Sequence, residues 1–163
     1  MTRQAIADLL HRSALTICYP WAARFSHLIG RRSQVVVVAA WYASRLLVVE
    51  HSYWRGQTLP GGHVGSDEQP VVAAARELQE EVGIVAAPAE FRLAGRMELR
   101  RTHLILFECR LAQAPRIRID NREITAAAFT APAAISSPSL ALRSYLRARY
   151  PTARGGRSST ERQ

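Results

Sequence analysis

Three glutamates near the middle of the chain have the residue type and spacing of metal ligands. Glu77, Glu80 and Glu81 stand at positions i, i+3 and i+4, so a helix places them together on one side. Like charges at this spacing cost a helix roughly 0.2–0.5 kcal/mol per pair. A hard divalent cation needs the oxygen ligands and the negative charge that such a cluster offers. An acidic face turned to solvent is the alternative interpretation of the same residues.

The turn before these glutamates favours the metal. Pro60-Gly61-Gly62 predicts a sharp bend with exposed backbone carbonyls, because glycine has no side chain to block a close approach. Ala73 and Ala74 fall towards the acidic side of the helix and are small enough for the bend to lie against them. Loop carbonyls and helix carboxylates together predict a metal site.

The helix has start and stop signals of its own. Pro70 suits a first turn, and Ser66 or Asp67 is predicted to cap the helix ahead of it. Gly83 is predicted to end the helix in the left-handed conformation. The apolar face predicted to meet the core consists of Val71, Ala75, Leu78 and Val82.

The stretch from Gly62 to Ile84 resembles the Nudix box, G-x5-E-x7-R-E-U-x-E-E-x-G-U, in which U is aliphatic. Gly62, Glu68 and the run Arg76–Ile84 match every fixed position, and a looser similarity extends from about Gln34 to Tyr150. The resemblance implies a hydrolase that uses Mg²⁺ or Mn²⁺ and attack by a metal-activated water. Its substrate would be a nucleoside diphosphate linked to another moiety, or a (deoxy)nucleoside triphosphate. The implied fold is an α/β/α sandwich with a mixed β-sheet.

The resemblance also implies a role for each matching residue. Glu80 and Glu81 would be the main metal ligands, and Glu77 a further ligand or the base that orients water. The carbonyl of Gly61 or Gly62 would complete the set of ligands. The implied catalytic residues are thus Glu77, Glu80, Glu81 and Arg76, and the implied metal ligands are Gly61, Gly62, Glu77, Glu80 and Glu81.

Two more carboxylates have subsidiary roles in this interpretation. Glu68 would join Arg76 in holding the ligands in place. Glu123, beyond the box, is either an extra ligand or base or an ordinary loop carboxylate. Because the box keeps all its glutamates, we favour the enzyme over the alternative, a catalytically weak nucleotide-sensing or interaction module. No signature outside the box identifies the substrate.

The segment His51–Thr58 is predicted to be a loop ahead of the box. Its aromatic and basic residues either contact a nucleotide or seal the edge of the core. Similar Nudix sequences usually have a tryptophan two residues before the Leu-Pro-Gly-Gly turn. This chain has Gln57 there, and its nearest tryptophan is Trp54.

Strands and one further helix are predicted around the box. Gln34–Trp41 and Arg45–Glu50 are β-branched or apolar runs that predict a hairpin turning at Ala43-Ser44. The later predicted strands are Phe91–Leu99, His103–Leu111, Arg116–Ile119 and Ile124–Thr130, with a hairpin tip at Arg100-Arg101. Ser137-Pro138 is predicted to cap a last helix that turns Leu142, Tyr145 and Leu146 inward.

Length and composition predict one globular domain with flanking segments. The chain has 163 residues, of which 48% are hydrophobic, and a formal net charge of +9. This charge suits polyanionic partners or simply aids solubility. Cys18 and Cys109 form neither a disulfide framework nor a metal spacing, which favours a reducing cytoplasm. We predict a domain over 34–150 and a disordered polar tail over 151–163.

Residues 1–33 are predicted to form an amphipathic, basic helical extension interrupted at Pro20. Such a helix packs on its own domain or on a second subunit, which would make a homodimer, or it lies on a membrane surface through residues 1–30. The expected partner of the domain is a small-molecule nucleotide. Sequence-specific binding to nucleic acid is not expected.

Overall fold

The computed structural model describes residues 33–99, 102–119 and 123–151. The predicted amino-terminal helices with Cys18, the turn at Arg100-Arg101 and the polar tail after residue 151 lie outside these ranges and stay predictions. No helix in the described ranges is long and apolar enough to cross a membrane.

The described chain folds into a mixed sheet and two α-helices. The strands are β1 (Ser33–Tyr42), β2 (Arg45–His51), β3 (Trp54–Thr58), β4 (Gly61–His63), β5 (Phe91–Leu99), β6 (Thr102–Leu111) and β7 (Ile124–Thr130). The helices are α1 (Pro70–Val82) and α2 (Leu140–Arg149), with short 3-10 turns at Pro88–Glu90 and Pro132–Ala134.

The sheet is organised around β1. The strand order is β3-β2-β1-β6-β5, with β4 added beside β1 and β7 beside β2. β1 and β6 run parallel, and the other paired strands are antiparallel. One edge of β1 pairs with β6, and the opposite edge pairs with two strands. There, Val36 is opposite Gly62 of β4, and Trp41 is opposite Leu46 of β2. The same strand therefore holds the glycine turn in place.

Alternation along β1 divides the core into two layers. Val36, Val38 and Ala40 face α1, whose Ala73, Ala74, Leu78 and Val82 share their cluster. Val37, Ala39 and Trp41 face α2 and form the second cluster. The α2 residues in that cluster are Ala141, Leu142 and Tyr145. A helix covers each face of the sheet, so the predicted α/β/α sandwich with a mixed sheet is confirmed.

Helix α1 begins and ends where the sequence predicts, but its cap and its buried face differ. Gly83 ends it with φ 69°, and its N–H donates to the carbonyl of Gln79. The prediction of a Ser66 or Asp67 cap is wrong: the N-cap is Gln69, which makes no side-chain capping bond. A separate turn precedes the helix, in which the Gly65 N–H donates to the Glu68 carboxylate. The buried face is Ala73, Ala74, Glu77, Leu78, Glu81 and Val82, so it includes two of the glutamates.

Two of the predicted segments differ from the structure: one is a strand paired with β2, and both make backbone hydrogen bonds to distant residues. The segment expected as a loop contains the strand β3, whose Gln57 exchanges backbone bonds with Ser137 and Ser139. Arg116–Ile119 alternates like a strand but is irregular, because the Arg118 N–H donates to the carbonyl of Val82 at the end of α1. Alternation alone does not reveal which partner a backbone group finds.

The cap of α2 also differs from the prediction. The helix begins at Leu140, and Ser139 is its N-cap, with Oγ accepting from the Leu142 N–H at 3.3 Å. Ser137-Pro138 instead runs beside β3, where Pro138 bridges to Gln57. The predicted inward residues are correct, since Leu142 and Tyr145 are buried and Leu146 packs against them.

The docking of α2 predicts a large loss of stability on truncation of its core residue. Leu142 is fully buried beside Trp41 and Leu46. Leu142→Ala is expected to lower the free energy of unfolding by about 2–5 kcal/mol, because it leaves a cavity between helix and sheet. Urea unfolding measures the change, with Val85→Ala, whose residue is 76% exposed, as the control. Equal stability of the two variants would contradict this packing.

Candidate active site

The glycine turn lies against α1 because β4 pairs with the first half of β1. Val38 donates its N–H to the carbonyl of Pro60 at 2.8 Å, which fixes the start of the turn. Gly61 has φ 155°, and a side chain there would run into the carbonyl of Val36. A Cβ on Gly62 would come within 2.5 Å of a carboxylate oxygen of Glu77. The backbone of the turn therefore touches an acidic side chain of the helix.

Two of the box glutamates point towards the turn and are buried. Glu81 is 5% exposed, and its Oε2 accepts a hydrogen bond from the Gly61 N–H at 2.9 Å. Glu77 is 2% exposed. Burial raises the pKa of Glu77, although the neighbouring Arg76 opposes this shift. Glu80 lies at the edge, with 61% of its side chain exposed.

One guanidinium holds the acidic groups together. Arg76 donates from Nε and Nη2 to the two oxygens of Glu68, at 2.9 and 3.0 Å. Its Nη1 lies 2.7 Å from Glu77 Oε1 and 3.2 Å from Glu80 Oε2. Its Nη2 also donates to the carbonyl of His63 at 3.0 Å, which ties β4 to the helix. These bonds lower the pKa of Glu68 and raise that of Arg76.

The site carries excess negative charge and oxygen donors, which is the chemistry that a hard cation requires. Glu68, Glu77 and Glu80 lie around Arg76, and Glu81 of the same helix contacts the Gly61 N–H. In the described ranges, no group of three or more His, Cys, Asp or Glu side chains is arranged so that it could hold a metal ion. The carboxylate oxygens fit a hard cation by their chemistry. In this structure they make hydrogen bonds to Arg76 and to the Gly61 N–H instead.

The structure brings most of the predicted site residues together. Those at the junction of β4, α1 and the turn between them are Gly61, Gly62, Glu68, Arg76, Glu77, Glu80 and Glu81. Glu123 belongs to another part of the fold, immediately before β7. Its carbonyl accepts from the Ser52 N–H at 2.9 Å, beside the turn between β2 and β3. The catalytic and ligand roles of all these residues stay predictions.

A small cleft, open to solvent, adjoins the glycine turn. Its residues include the aromatic side chains of the turn between β2 and β3, the apolar side chains of β1 and the backbone of Gly61 and Gly62. His51 and Tyr53 are stacked there, with ring centroids 5.0 Å apart. Trp54 also lines the cleft and packs over Gly56, where a Cβ would come within 2.6 Å of the ring. These rings therefore border an open cleft.

Gln57, which stands where similar sequences usually have tryptophan, forms a hydrogen bond to the segment before α2. Its side-chain Oε1 accepts from the Ser136 N–H at 3.1 Å. The next residue, Thr58, has its hydroxyl 3.0 Å from that of Ser139, the cap of α2. This edge of the cleft is therefore fastened to the start of α2, a link that sequence reasoning did not predict.

A second polar cluster, on the α2 face of the sheet, was also missed. Glu108 is buried in β6 and accepts a hydrogen bond from the Tyr145 hydroxyl at 3.1 Å. Trp41 donates to that hydroxyl at 2.6 Å, and burial is the main cause that raises the pKa of Tyr145 to about 12. The available signal was a lone acidic residue in the apolar run HLILFECRL.

Comparisons with known proteins agree with this geometry. The sequence model of the NUDIX domain matches residues 30–151. No curated protein matches the chain. The fold is similar to a crystal structure of a MutT NUDIX hydrolase from Burkholderia pseudomallei, with a TM-score of 0.63 and 20% identity over 71% of this chain and 95% of that one.

Two further solved structures have the same fold. A putative nudix hydrolase family member from Chromobacterium violaceum has a TM-score of 0.60 and 20% identity over 80% of this chain and 83% of that one. A MutT protein from Methanosarcina mazei has a TM-score of 0.58 and 19% identity over 72% of this chain and 92% of that one.

Proposed function

The chain belongs to the Nudix family of hydrolases, and on that premise we propose that it cleaves a pyrophosphate bond with the carboxylates of α1. The substrate class is a nucleoside diphosphate linked to another moiety, or a (deoxy)nucleoside triphosphate. The observation that carries the proposal is the contact between the glycine turn and the acidic helix. The Gly61 N–H donates a hydrogen bond to the Glu81 carboxylate, and the Gly62 backbone lies against the Glu77 carboxylate.

The cation proposed for this site is Mg²⁺ or Mn²⁺. The residues that would hold it are Glu77, Glu80, Glu81 and a carbonyl of Gly61 or Gly62. When bound, such an ion neutralises phosphate oxygens and lowers the pKa of a water molecule. Glu77 and Glu80 would first have to turn away from Arg76, since their oxygens now lie 2.7 and 3.2 Å from its Nη1.

Arg76 is proposed to position the carboxylates and not to bind the substrate. Its fork is occupied by Glu68 on one side and by Glu77 and Glu80 on the other. The Glu68 contact is bidentate and leaves Arg76 anchored when the other two carboxylates change partner. Glu68 is in turn fixed by the Gly65 N–H at 3.0 Å. The proton of the attacking water is then proposed to go to a carboxylate, of which Glu77 is the most buried.

The open cleft is proposed to receive the organic part of the substrate. It adjoins the glycine turn and is lined by Val37, which faces α2, whereas the carboxylates lie on α1. A substrate bound at both places would reach past the turn towards His51, Tyr53 and Trp54. Aromatic rings bind a heteroaromatic base by stacking, at roughly 1–3 kcal/mol per base. We further propose a cytoplasmic location, because Cys18 and Cys109 do not have the spacing of a disulfide framework.

A substrate panel tests the proposed activity. The full chain is incubated with Mg²⁺ and, separately, with dinucleotides, nucleotide sugars and nucleoside triphosphates. We expect at least one class to release a nucleoside monophosphate, and a chelator to stop the release. Absence of turnover with every class, with Mg²⁺ and with Mn²⁺, would refute the proposal.

One observation favours the alternative of a nucleotide-binding module without strong catalysis. In the described part of the chain the carboxylates are engaged by Arg76, and no three-ligand group is preformed. Such a module would bind members of the panel without cleaving them. Equilibrium binding measured beside turnover therefore separates the two functions.

A further inference from the structure

Three arginines converge on one buried carboxylate on the α2 face of the sheet. Glu108 of β6 is 4% exposed. Its Oε2 lies 3.4 Å from Arg92 Nη2 and 3.2 Å from Arg149 Nη1, and its Oε1 lies 3.3 Å from Arg110 Nη2. The arginines come from β5, α2 and β6, so only the tertiary fold brings them together. We call these four residues the Glu108 cluster.

The cluster has more positive charge than its carboxylate can balance. Three guanidinium groups surround one Glu108, which leaves two positive charges. Tyr145, Arg92 and Arg149 all donate hydrogen bonds to Oε2 of Glu108, and Arg110 forms an ion pair with Oε1. Each guanidinium carries five N–H donors, so several remain for another acceptor. The side chains of Arg92 and Arg110 are 73% and 64% exposed, so a ligand in solution can reach them.

One of these guanidinium groups, that of Arg149, is held in place before any ligand arrives. Arg149 lies over the ring of Trp41, 5.1 Å from its centroid, and is fixed on the last turn of α2. Arg92 stands directly opposite Glu108 in the pairing of β5 with β6. Side chains fixed in this way lose less conformational entropy on binding. The planar fork of arginine also matches phosphate oxygens, and every Lys-or-Arg position of this chain is an arginine.

We propose that the Glu108 cluster binds a phosphoryl group carried by a small soluble molecule. A phosphate dianion balances the two excess charges. Because all three arginines meet on one carboxylate, the cluster offers a compact site for a single phosphoryl group and not an extended track for a polyanion. Phospholipid headgroups carry the same chemistry, and the experiment distinguishes the two sources.

The site is separate from the acidic one. Glu108 lies beside Ala39 in the parallel pair of β6 and β1, on the α2 face. Glu77 and Glu81 belong to α1, which covers the other face. The proposal therefore does not rest on the proposed hydrolase activity, and either can fail without the other.

Calorimetric titration of the full chain tests the proposal, with inorganic phosphate and with pyrophosphate as the probes. A chelator keeps divalent metal away from α1, and a chloride buffer contains no oxyanion that would compete with the probes. We expect saturable binding that weakens as salt rises. The substitutions Arg92→Gln and Arg110→Gln are each expected to weaken binding about tenfold, because each removes a charge-assisted hydrogen-bond donor. Both residues are exposed, so circular dichroism should show unchanged folding.

A matched control is available on the same strand. Arg96 of β5 is exposed and stands opposite Ile105, whose side chain packs in the α1-side core. Arg96→Gln removes the same charge from the other face and should leave phosphate affinity within about twofold of the parent. Glu80→Gln should also preserve it, which separates this site from the acidic one.

Three results would overturn the proposal. The first is the absence of saturable binding tighter than about 10 mM for either probe. The second is an equal loss of phosphate affinity with Arg96→Gln, which would show that binding depends only on the overall charge of the protein. The third is binding to phosphatidylcholine vesicles that contain phosphatidic acid, lost with Arg92→Gln, without binding of free phosphate or pyrophosphate. That last result would assign the cluster to a lipid surface.

Discussion

Glu80→Gln and Glu81→Gln are each expected to lower kcat/KM at least about 100-fold, since even residues that only orient metal ligands cost 10–100-fold when changed. Both substitutions remove a negative charge from the proposed cation site and keep the size of the side chain. The affinity for Mg²⁺ should fall in parallel, which calorimetry measures independently of turnover. Glu80 has 61% of its side chain exposed, so its loss should change the free energy of unfolding by less than about 0.5 kcal/mol.

Glu81 differs because it is buried and bonded to the turn. Glutamine keeps an oxygen that can accept from the Gly61 N–H, so the 2.9 Å contact can survive the substitution. Removing a buried charge also lifts part of its desolvation cost. Glu81→Gln should therefore be at least as stable as the parent, although its kcat/KM falls at least about 100-fold.

Glu98→Gln is the charge-matched control for both. Glu98 has 85% of its side chain exposed near the end of β5, where its Oε1 lies 3.6 Å from His103 Nδ1. Its loss should leave turnover and Mg²⁺ affinity unchanged. Parent-like activity of either Glu80→Gln or Glu81→Gln would contradict the ligand roles proposed for these residues.

The parts of the fold that sequence reasoning predicted are those set by local chemistry. Helix α1 has Pro70 at its start and Gly83 at its end, and both signals act within a few residues. The apolar runs of β1 and β6 needed no partner to be recognised as strands. The residues of the acidic site could be predicted for the same reason, because most of them lie on one helix at fixed spacing.

The parts that it missed depend on distant partners. The strand β3 pairs with β2 on one edge, and on the other its Gln57 exchanges backbone hydrogen bonds with Ser137 and Ser139, about 80 positions along the chain. The alternating segment at Arg118 is held instead by the carbonyl of Val82. Neither pairing leaves a local pattern, so periodicity cannot indicate it.

Charge placement around the helix was the harder feature to predict. A helical wheel places the glutamates on one side of the helix, but it does not show how deeply each side chain is buried. The structure buries Glu77 and Glu81 and leaves Glu80 at the edge, because β4 covers part of the acidic face. Arg76 could be assigned a supporting role from its position, whereas its contacts to three carboxylates and the His63 carbonyl required the fold.

The two adjacent glycines of the turn are expected to respond to alanine in opposite ways. Gly61→Ala should mainly reduce stability, by about 3 kcal/mol or more, because φ 155° is strained for alanine and the new Cβ meets the backbone of Val36. Backbone in a paired strand cannot move aside cheaply. Urea unfolding should show this loss directly.

Gly62→Ala should mainly reduce activity. The new Cβ would lie 2.5 Å from Glu77 Oε1, which is the end of a side chain and can move. A displacement of about 1 Å in a positioned group can cost roughly 100-fold in rate, so kcat/KM should fall by that order while less stability is lost than in Gly61→Ala. Combining Gly62→Ala with Glu77→Gln should cost no more activity than Glu77→Gln alone, because both act on the same carboxylate.

Gly95→Ala is the control for both glycines, since a Cβ there meets nothing within 4 Å. It should retain the activity of the parent. If Gly62→Ala were as active as Gly95→Ala, the position of the Glu77 carboxylate would not matter for turnover, and its assignment as a ligand or base would be wrong. If Gly61→Ala were as stable as Gly95→Ala, the close pairing of β4 with β1 would itself be in error, because that pairing is what leaves no space for a side chain.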